Sequence, residues 1–238
     1  MGWISLVLYV DSSGSLATQR WLGVATWVLL VVVALREAPL IRMQAAVVVV
    51  FASAVEYTFS PLLEVYVYRF DNVPAYVPPG HGLVYLVALA IGRSPWVRER
   101  AKSLMAAVIA VGGAWALWGL FGTGRIDALG AFWFACLVAF LLWGPNRGLY
   151  LGAFLVVSWL EIVGTALGTW AWQTHDPTGI VPIGNPPSGA AGGYGWFDLA
   201  ALLLAPRILA ALRRLRGPLT TPGTAEAQQT DSPAPARD

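Results

Sequence analysis

The sequence predicts an all-α membrane protein, a helix bundle with about seven transmembrane helices. Hydrophobic residues make up 57% of the 238 residues and charged residues only 12%, about half the charged fraction of a typical soluble domain. The chain also contains 12 Trp and 8 Tyr, residue types that favour the membrane–water interface. A soluble fold of this composition would expose large apolar patches. The lipid bilayer is therefore the expected solvent and the first expected partner.

Seven apolar runs are predicted to cross the hydrocarbon core. The third run is short, and the third and seventh both begin in Gly-rich sequence. The predicted spans cover about 17–35, 43–63, 80–92, 103–121, 127–144, 148–170 and 189–206.

The remaining segments flank these spans within a predicted membrane domain at 1–216. The apolar stretch Met1–Val10 is too short to span, and we expect an interfacial segment there. Residues Arg207–Arg216 form a basic flank, interpreted either as a stop-transfer signal or as a contact for lipid headgroups. The tail at 217–238 is rich in Pro, Thr, Ala and Gln, and it is predicted to be disordered and cytoplasmic.

The positions of Lys and Arg predict the orientation. With seven spans, twelve of the 15 basic residues fall on one side, which is therefore predicted to be cytoplasmic and to hold the C-terminus. The other side, with the N-terminus, carries only Arg20, Arg69 and Arg125. The Ala, Gly, Arg and Trp content is typical of a bacterium with a GC-rich genome, so the inner (plasma) membrane is the expected location.

An internal repeat is predicted from matches at a spacing of 105 and then 104 residues. Glu56 matches Glu161, and the pair Tyr66 and Tyr68 matches Trp170 and Trp172. Further matches join Arg20 to Arg125, Arg42 to Arg147, and the V-P-x-G motif before His81 to the one before Asn185. Residues 17–92 would then repeat as 125–206 with 103–121 as a connector, and the two units would be parallel.

Glu56 and Glu161 are the strongest candidates for chemistry. Each lies 14 residues after an Arg on the cytoplasmic side, about 21 Å along a helix and so inside the hydrocarbon. A carboxylate there costs roughly 2.5–3.5 kcal/mol, which a functional role would explain. Burial and mutual repulsion would keep one carboxyl protonated near neutral pH, as a catalytic acid. In the alternative interpretation each carboxyl is neutral or bonds a hydroxyl between helices.

His81 is predicted to support the two glutamates as a proton relay, or else to bond the preceding loop at a helix start. Asn185, its match, has no titratable group. The aromatic pairs Tyr66/Tyr68 and Trp170/Trp172 are interpreted either as interface anchors or as the lining of a substrate site. Asp198 is a third buried acid and a further substrate-binding candidate.

Glycines mark two further features. Gly164 and Gly168 form a G-x-x-x-G pair, which predicts a helix-packing face. The dense Gly run within 184–195 predicts either close backbone approach or a broken helix beside a cavity.

Metal and cofactor sites are not predicted. The single Cys136 allows no disulfide and no Cys-based metal site. His175 is expected to be solvated, and its spacing from other ligand types matches no known metal motif. No nucleic-acid partner is expected.

The segment from Glu161 to Trp172, followed by Val181-Pro182-Ile183, resembles the membrane hydratases of bacterial carotenoid biosynthesis. The similarity covers about 25 residues: a Glu, spaced glycines, an aromatic-x-aromatic pair and a Val-Pro. It departs from that family at Asn185-Pro186-Pro187-Ser188-Gly189. The resemblance implies an apolar isoprenoid substrate and an acid role for Glu161.

Two classes of function follow. In the first, the protein is a membrane enzyme acting on a lipid or isoprenoid, with Glu56 and Glu161 as an acid/base pair. In the second, the carboxyls carry protons or bind a cation in a transporter, or the chain is a structural or partner-binding subunit. A transporter of this size would work as a homo-oligomer or within a larger membrane complex.

Overall fold

A computed structural model describes residues 1–215, and most of them are helical. The helices are α1 (Gly2–Ser13), α2 (Leu16–Leu35), α3 (Pro39–Tyr57), α4 (Val77–Arg93), α5 (Pro95–Glu99), α6 (Ala101–Phe121), α7 (Ala128–Trp143), α8 (Arg147–Ala166) and α9 (Ala190–Leu215). A π-helical segment, Thr58–Leu62, continues α3. Two short strands, β1 (Tyr66–Tyr68) and β2 (Trp170–Trp172), complete the fold. The predicted all-α class is confirmed for this part of the chain.

Five helices are long and apolar enough to cross a membrane: α2, α3 with its π-helical extension, α6, α8 and α9. Helix α7 is apolar but has only 16 residues, and α4 has 17. The helices fit a multi-pass membrane protein. Each of the seven predicted runs falls on one helix, but the run at 148–170 is too long, because α8 ends at Ala166 and a strand follows.

Local sequence explains where several helices begin. Pro39 and Pro78 lie in the first turns of α3 and α4, where a missing N–H leaves no bond unmade. Ser15 caps α2 in a capping box with Thr18. Asn146 caps α8 by accepting a hydrogen bond from the Leu149 backbone N–H at 3.1 Å.

The bundle is held by two central helix pairs, α4 with α8 and α9 with α3. The first pair is especially close, because a Cβ on Gly92 would overlap the Gly148 backbone and one on Gly152 would overlap the Ala88 carbonyl. Only glycine permits backbones to approach this closely. This packing fixes the relative positions of the helices that carry the predicted glutamates.

The strands pair antiparallel, with Tyr66 opposite Trp172, Val67 opposite Ala171 and Tyr68 opposite Trp170. β1 follows α3 and its π-helical extension, and β2 follows α8. The two-stranded ribbon therefore joins the ends of two helices that come from different halves of the chain.

The structure decides two predictions made from the glycines. The G-x-x-x-G prediction was wrong about a helix-packing face: Gly164 makes room for the Trp170 ring, and Gly168 lies after the helix end with φ +68°. The Gly-dense segment instead gives close approach, since Cβ atoms on Gly189 and Gly192 would overlap the backbone of α7.

The structure describes the N-terminal stretch and the start of the basic flank, but not the tail. The stretch predicted as interfacial forms α1, which buries Val7 and Leu8 and packs against α2 and α8. The start of the basic flank continues α9 with Arg207, Arg213 and Arg214 exposed. The tail predicted as disordered, 217–238, lies outside the described residues.

Candidate functional site

Both predicted glutamates line one cavity of about 270 Å³. Helices α1, α2, α3, α4, α7, α8 and α9 contribute to its lining together with the ribbon, and its surface is mostly aromatic and aliphatic. Its aromatic and titratable lining residues are Trp3, Phe51, Glu56, Phe59, Tyr66, Tyr68, Tyr76, His81, Trp133, Glu161, Trp170, Trp172, Tyr194, Trp196 and Phe197. An apolar cavity with a few convergent polar groups has the form of a small-molecule site.

The Glu56 carboxylate has hydrogen bonds at both oxygens. The hydroxyls of Tyr66 and Tyr68 each donate to Oε2 at 2.8 Å. His81 Nε2 lies 2.8 Å from Oε1. Three hydrogen-bond partners satisfy a buried carboxyl group that would be unfavourable without them.

The Glu161 carboxylate is bound on one oxygen only. The indole N–H groups of Trp170 and Trp172 donate to Oε2 at 3.1 and 3.0 Å. Among the described residues, none donates a hydrogen bond to the other oxygen, Oε1. Glu161 therefore carries a free oxygen on a cavity-lining side chain.

The ribbon places all four aromatic donors on one face. Side chains two residues apart on a strand point the same way, so Tyr66 and Tyr68 share a face, as do Trp170 and Trp172. These four side chains are buried, whereas Val67 and Ala171 between them are more exposed. The aromatic pairs were interpreted as interface anchors or as site lining, and here they line the cavity and hold the carboxylates.

His81 lies in the first turns of α4 and is buried. Its ring stacks on Tyr194 with centroids 5.0 Å apart and contacts Phe197 edge-on at 5.6 Å. Within residues 1–215, the second ring nitrogen, Nδ1, has no hydrogen-bond partner. His81 thus holds Glu56 and keeps one nitrogen able to accept or donate a proton.

Asn185 does not line the cavity. Its side-chain oxygen accepts a hydrogen bond from the Trp172 backbone N–H at 3.1 Å, so it positions β2. Tyr194 is the fifth residue of α9, as His81 is of α4, and Tyr194 lines the cavity. The V-P-x-G motif starts a helix in one half and lies in a loop in the other.

Asp198 is buried one turn beyond Tyr194 and also lies outside the cavity lining. One of its oxygens has no partner among the described residues, and neither has the Tyr150 hydroxyl. Nearby, the Tyr85 hydroxyl donates to Gln44 Oε1 at 2.8 Å. The structure places Asp198 in this second polar cluster, apart from the two glutamates.

Sequence reasoning missed Asp11 and Tyr76. Asp11 is completely buried and accepts hydrogen bonds from Tyr76 Oη at 2.8 Å and Gln19 Nε2 at 3.1 Å. Arg69 lies 3.8 Å from the same carboxylate. These contacts tie the end of α1 to the loop that leads into α4. A lone Asp in an apolar stretch was the only signal available.

Asp127 was also missed as a buried anchor. It accepts backbone N–H bonds from Gly130, Gly184 and Ser188 at 2.7–2.9 Å. An Asp directly before an apolar run is a recognised helix-start signal, but its bonds to the distant loop have no local signature. His175, expected to be solvated, is exposed.

The helices and the cavity together define a multi-pass membrane protein with a buried, carboxylate-bearing site. Comparison with known protein families, curated sequences and solved structures finds no match to this chain. The function therefore has to be argued from the site itself.

Proposed function

We propose that seven helices span the bilayer and that the chain is an internal duplication. The helices α2, α3 and α4 would correspond to α7, α8 and α9, with α6 as the connector. The packing supports this, because α4 packs on α8 just as α9 packs on α3. The ribbon supports it too, since its antiparallel register pairs the matched aromatic residues around Val67 and Ala171.

The proposed orientation puts the N-terminus outside and the C-terminus in the cytoplasm. The basic residues at Arg36, Arg93 and Arg147 would then lie at the cytoplasmic ends of the bundle, as the positive-inside rule requires. The ribbon and its carboxylates would lie toward the outer face.

Within this frame, the protein is an intramembrane acid/base enzyme acting on a lipid or isoprenoid. One observation carries the proposal: two glutamates from different halves line one apolar cavity, and each is held by aromatic donors. Both oxygens of Glu56 have hydrogen-bond partners, whereas Glu161 Oε1 has no donor among the described residues and is available to a molecule in the cavity.

The two carboxyls have different roles in this account. Glu161 carries a proton on Oε1, the oxygen free of partners, and acts as the acid. Glu56, with both oxygens held by donors, acts as the anion that stabilises positive charge and accepts a proton. His81 is a positioning residue, because it acts through Glu56.

The reaction would begin when the Glu161 proton passes to one carbon of a carbon–carbon double bond. The π electron pair forms the new C–H bond and leaves a carbocation on the neighbouring carbon. Loss of a proton from an adjacent carbon to Glu56 re-forms a double bond elsewhere, whereas attack by water, with its proton passing to Glu56, gives an alcohol. Proton transfer from Glu56 back to Glu161 restores the starting state.

The cavity walls favour an isoprenoid substrate. Aromatic faces attract cations, and Tyr66, Trp172 and Trp133 pack against one another beside the carboxylates. A branched double bond gives the more stable carbocation, so its protonation is the easier one. The resemblance around Glu161 to carotenoid hydratases points to the same substrate class and remains part of the proposal.

The test is a comparison of total lipids and pigments from a deletion strain. The strain carries wild type, Glu161→Gln, or the matched control Glu99→Gln, whose carboxylate is on the surface beside Arg100. We expect a precursor to accumulate with Glu161→Gln and to be consumed with the other two. Identical extracts at equal expression would contradict the enzyme proposal.

A proton- or cation-coupled transporter is the second candidate. The buried polar cluster around Asp198, with its unpartnered oxygen, favours it, because ionisable groups buried in spans often mark ion paths. Here Asp198→Asn in liposomes would abolish a pH-dependent flux, and the lipid extracts would be unchanged.

A further inference from the structure

Two grooves border the cavity, one over α4 and one over α9, and their lining residues differ in exposure. Helix α4 lies between α8 and α2 and packs against both, and α9 lies between α3 and α7 in the same way. Each of these two helices contributes residues to the cavity lining, among them Gly80 on α4 and Gly193 on α9. The outer surface of each helix therefore forms the floor of a groove that borders the cavity.

Helix α1 packs against α2 and α8, which are two of the neighbours of α4. It is tied to α2 by the Trp3 indole N–H, which donates to Thr26 Oγ1 at 3.2 Å. It is tied to α8 by the Trp159 indole N–H, which donates to Ser5 Oγ at 2.9 Å. On this side of the cavity, the lining residue Leu83 on α4 is only 6% exposed.

Within residues 1–215, no second helix covers the groove over α9. Trp196 lies at the position on α9 that Leu83 occupies on α4, the seventh residue of each helix, yet it is 49% exposed. Phe51 and Phe59, on the α3 side, are 39% and 37% exposed. All three side chains also line the cavity, so the cavity reaches the bundle surface at this groove.

We propose that the hydrocarbon chain of an isoprenoid substrate enters the cavity sideways from the bilayer, along the groove over α9. This inference rests on the proposed function, because it specifies how that substrate reaches Glu161. The groove faces hydrocarbon in the proposed arrangement, its rim is aromatic, and it is continuous with the carboxylate site. Aromatic faces of this kind offer favourable stacking contacts to the flat double bonds of a polyene chain.

Gly193 offers a way to block this route. A Cβ there would lie 3.4 Å from the Trp133 ring, an ordinary contact, so Gly193→Leu fills the cavity beside the groove without a backbone clash. Gly113→Leu on α6 is the matched control, since a Cβ at Gly113 lies 3.5 Å from Phe134 and far from the cavity lining.

The experiment uses the full chain in lipid nanodiscs with a diazirine-bearing geranylgeraniol analogue, and the photolabelled peptides are identified by mass spectrometry. We expect saturable labelling of the peptides containing Phe59 or Trp196. Unlabelled geranylgeraniol should compete, and saturated stearyl alcohol should not. Gly193→Leu should weaken the labelling by about tenfold, and Gly113→Leu should leave it unchanged.

Several results would overturn the inference. One is labelling at the groove that does not saturate and matches that of the exposed α6 residue Trp118. Equal competition by stearyl alcohol would contradict the isoprenoid assignment. A photoreactive residue at position 59 that cross-links a second copy would show that protein covers the groove. The Glu161→Gln variant should still be labelled. Labelling therefore tests binding of the hydrocarbon chain separately from the chemistry at Glu161.

Discussion

Tyr66 and Trp172 pack against each other with ring centroids 4.5 Å apart, and each donates a hydrogen bond to a different glutamate. The two side chains stand opposite each other in the ribbon. This contact, together with that of Tyr68 with Trp170 at 6.1 Å, joins the hydrogen-bond partners of the Glu56 and Glu161 carboxylates. A change at one carboxylate has a direct structural path to the other.

Removing one donor from Glu56 should destabilise the fold. Tyr68→Phe deletes one of two hydroxyl bonds to Oε2, and the loss of a hydrogen bond to a buried charged group costs about 1–3 kcal/mol. The free energy of unfolding, measured by denaturing-detergent titration in micelles, should fall by that amount. Tyr57→Phe, at an exposed position, should change it little. Equal effects would show that the Tyr68 bond is not specific.

Gly164→Ala should displace the Trp170 ring from Glu161. A Cβ at Gly164 would overlap that ring, and overpacking of this kind costs about 1–3 kcal/mol. Gly113→Ala is the matched helix substitution, whose Cβ would make only an ordinary contact with Phe134 at 3.5 Å, and it should stabilise by about 0.5–1 kcal/mol. Unfolding free energies of the two variants check the prediction. A Gly164→Ala variant as stable as wild type would contradict the described position of Trp170.

Asp127→Asn should loosen the loop before α9. The carboxylate accepts three backbone N–H bonds, including that of Ser188 at Oδ2, and an amide nitrogen in that place cannot accept. The expected loss is about 1–3 kcal/mol, with faster hydrogen exchange at the Ser188 and Gly184 amides. Unchanged exchange at both amides would exclude this anchoring role.

The loop around Asp176 should respond to acid. Backbone bonds from Val181, together with the Thr178 hydroxyl, lower the pKa of the exposed Asp176 carboxyl. Because the folded-state pKa is depressed, the stabilisation is complete above the ordinary Asp range and is lost as the pH falls through the lowered pKa. Hydrogen exchange at the Val181 amide, corrected for its intrinsic pH dependence, should accelerate there. With Asp176→Asn the protection should be weaker and independent of pH; a wild-type response from this variant would contradict the assignment.

The apolar runs of the sequence predicted seven of the described helices, though not α1 or α5, and the sequence also indicated the central pair of acids. Apolar runs identify helices directly, and the matched spacing of Glu56 and Glu161 indicated a shared interior position. The ribbon could not be predicted, because strands of three residues carry no periodic pattern. Its aromatic residues therefore gave no sign that they bond the glutamates.

His81 and Asn185, which match in sequence, lie in different elements because the preceding loops differ in length. Eight residues separate β1 from α4, but 17 separate β2 from α9. The same motif thus starts a helix in the first half and remains in a loop in the second. Equal sequence spacing therefore does not place two residues at equivalent positions when the connecting loops differ in length. Tyr194 lines the cavity, and Asn185 does not.

Transfer of a deuteron from Glu161 to a carbon atom of the substrate can be measured in D₂O. Washed membranes from the deletion strain, carrying wild type or Glu161→Gln, are incubated briefly in D₂O with the precursor lipid that accumulates in the variant. Mass spectrometry then measures deuterium bound to carbon in the product. The account predicts one such deuterium per product molecule with wild type and no product with Glu161→Gln. Product formed by wild type without carbon-bound deuterium, or formed equally by the variant, would contradict it.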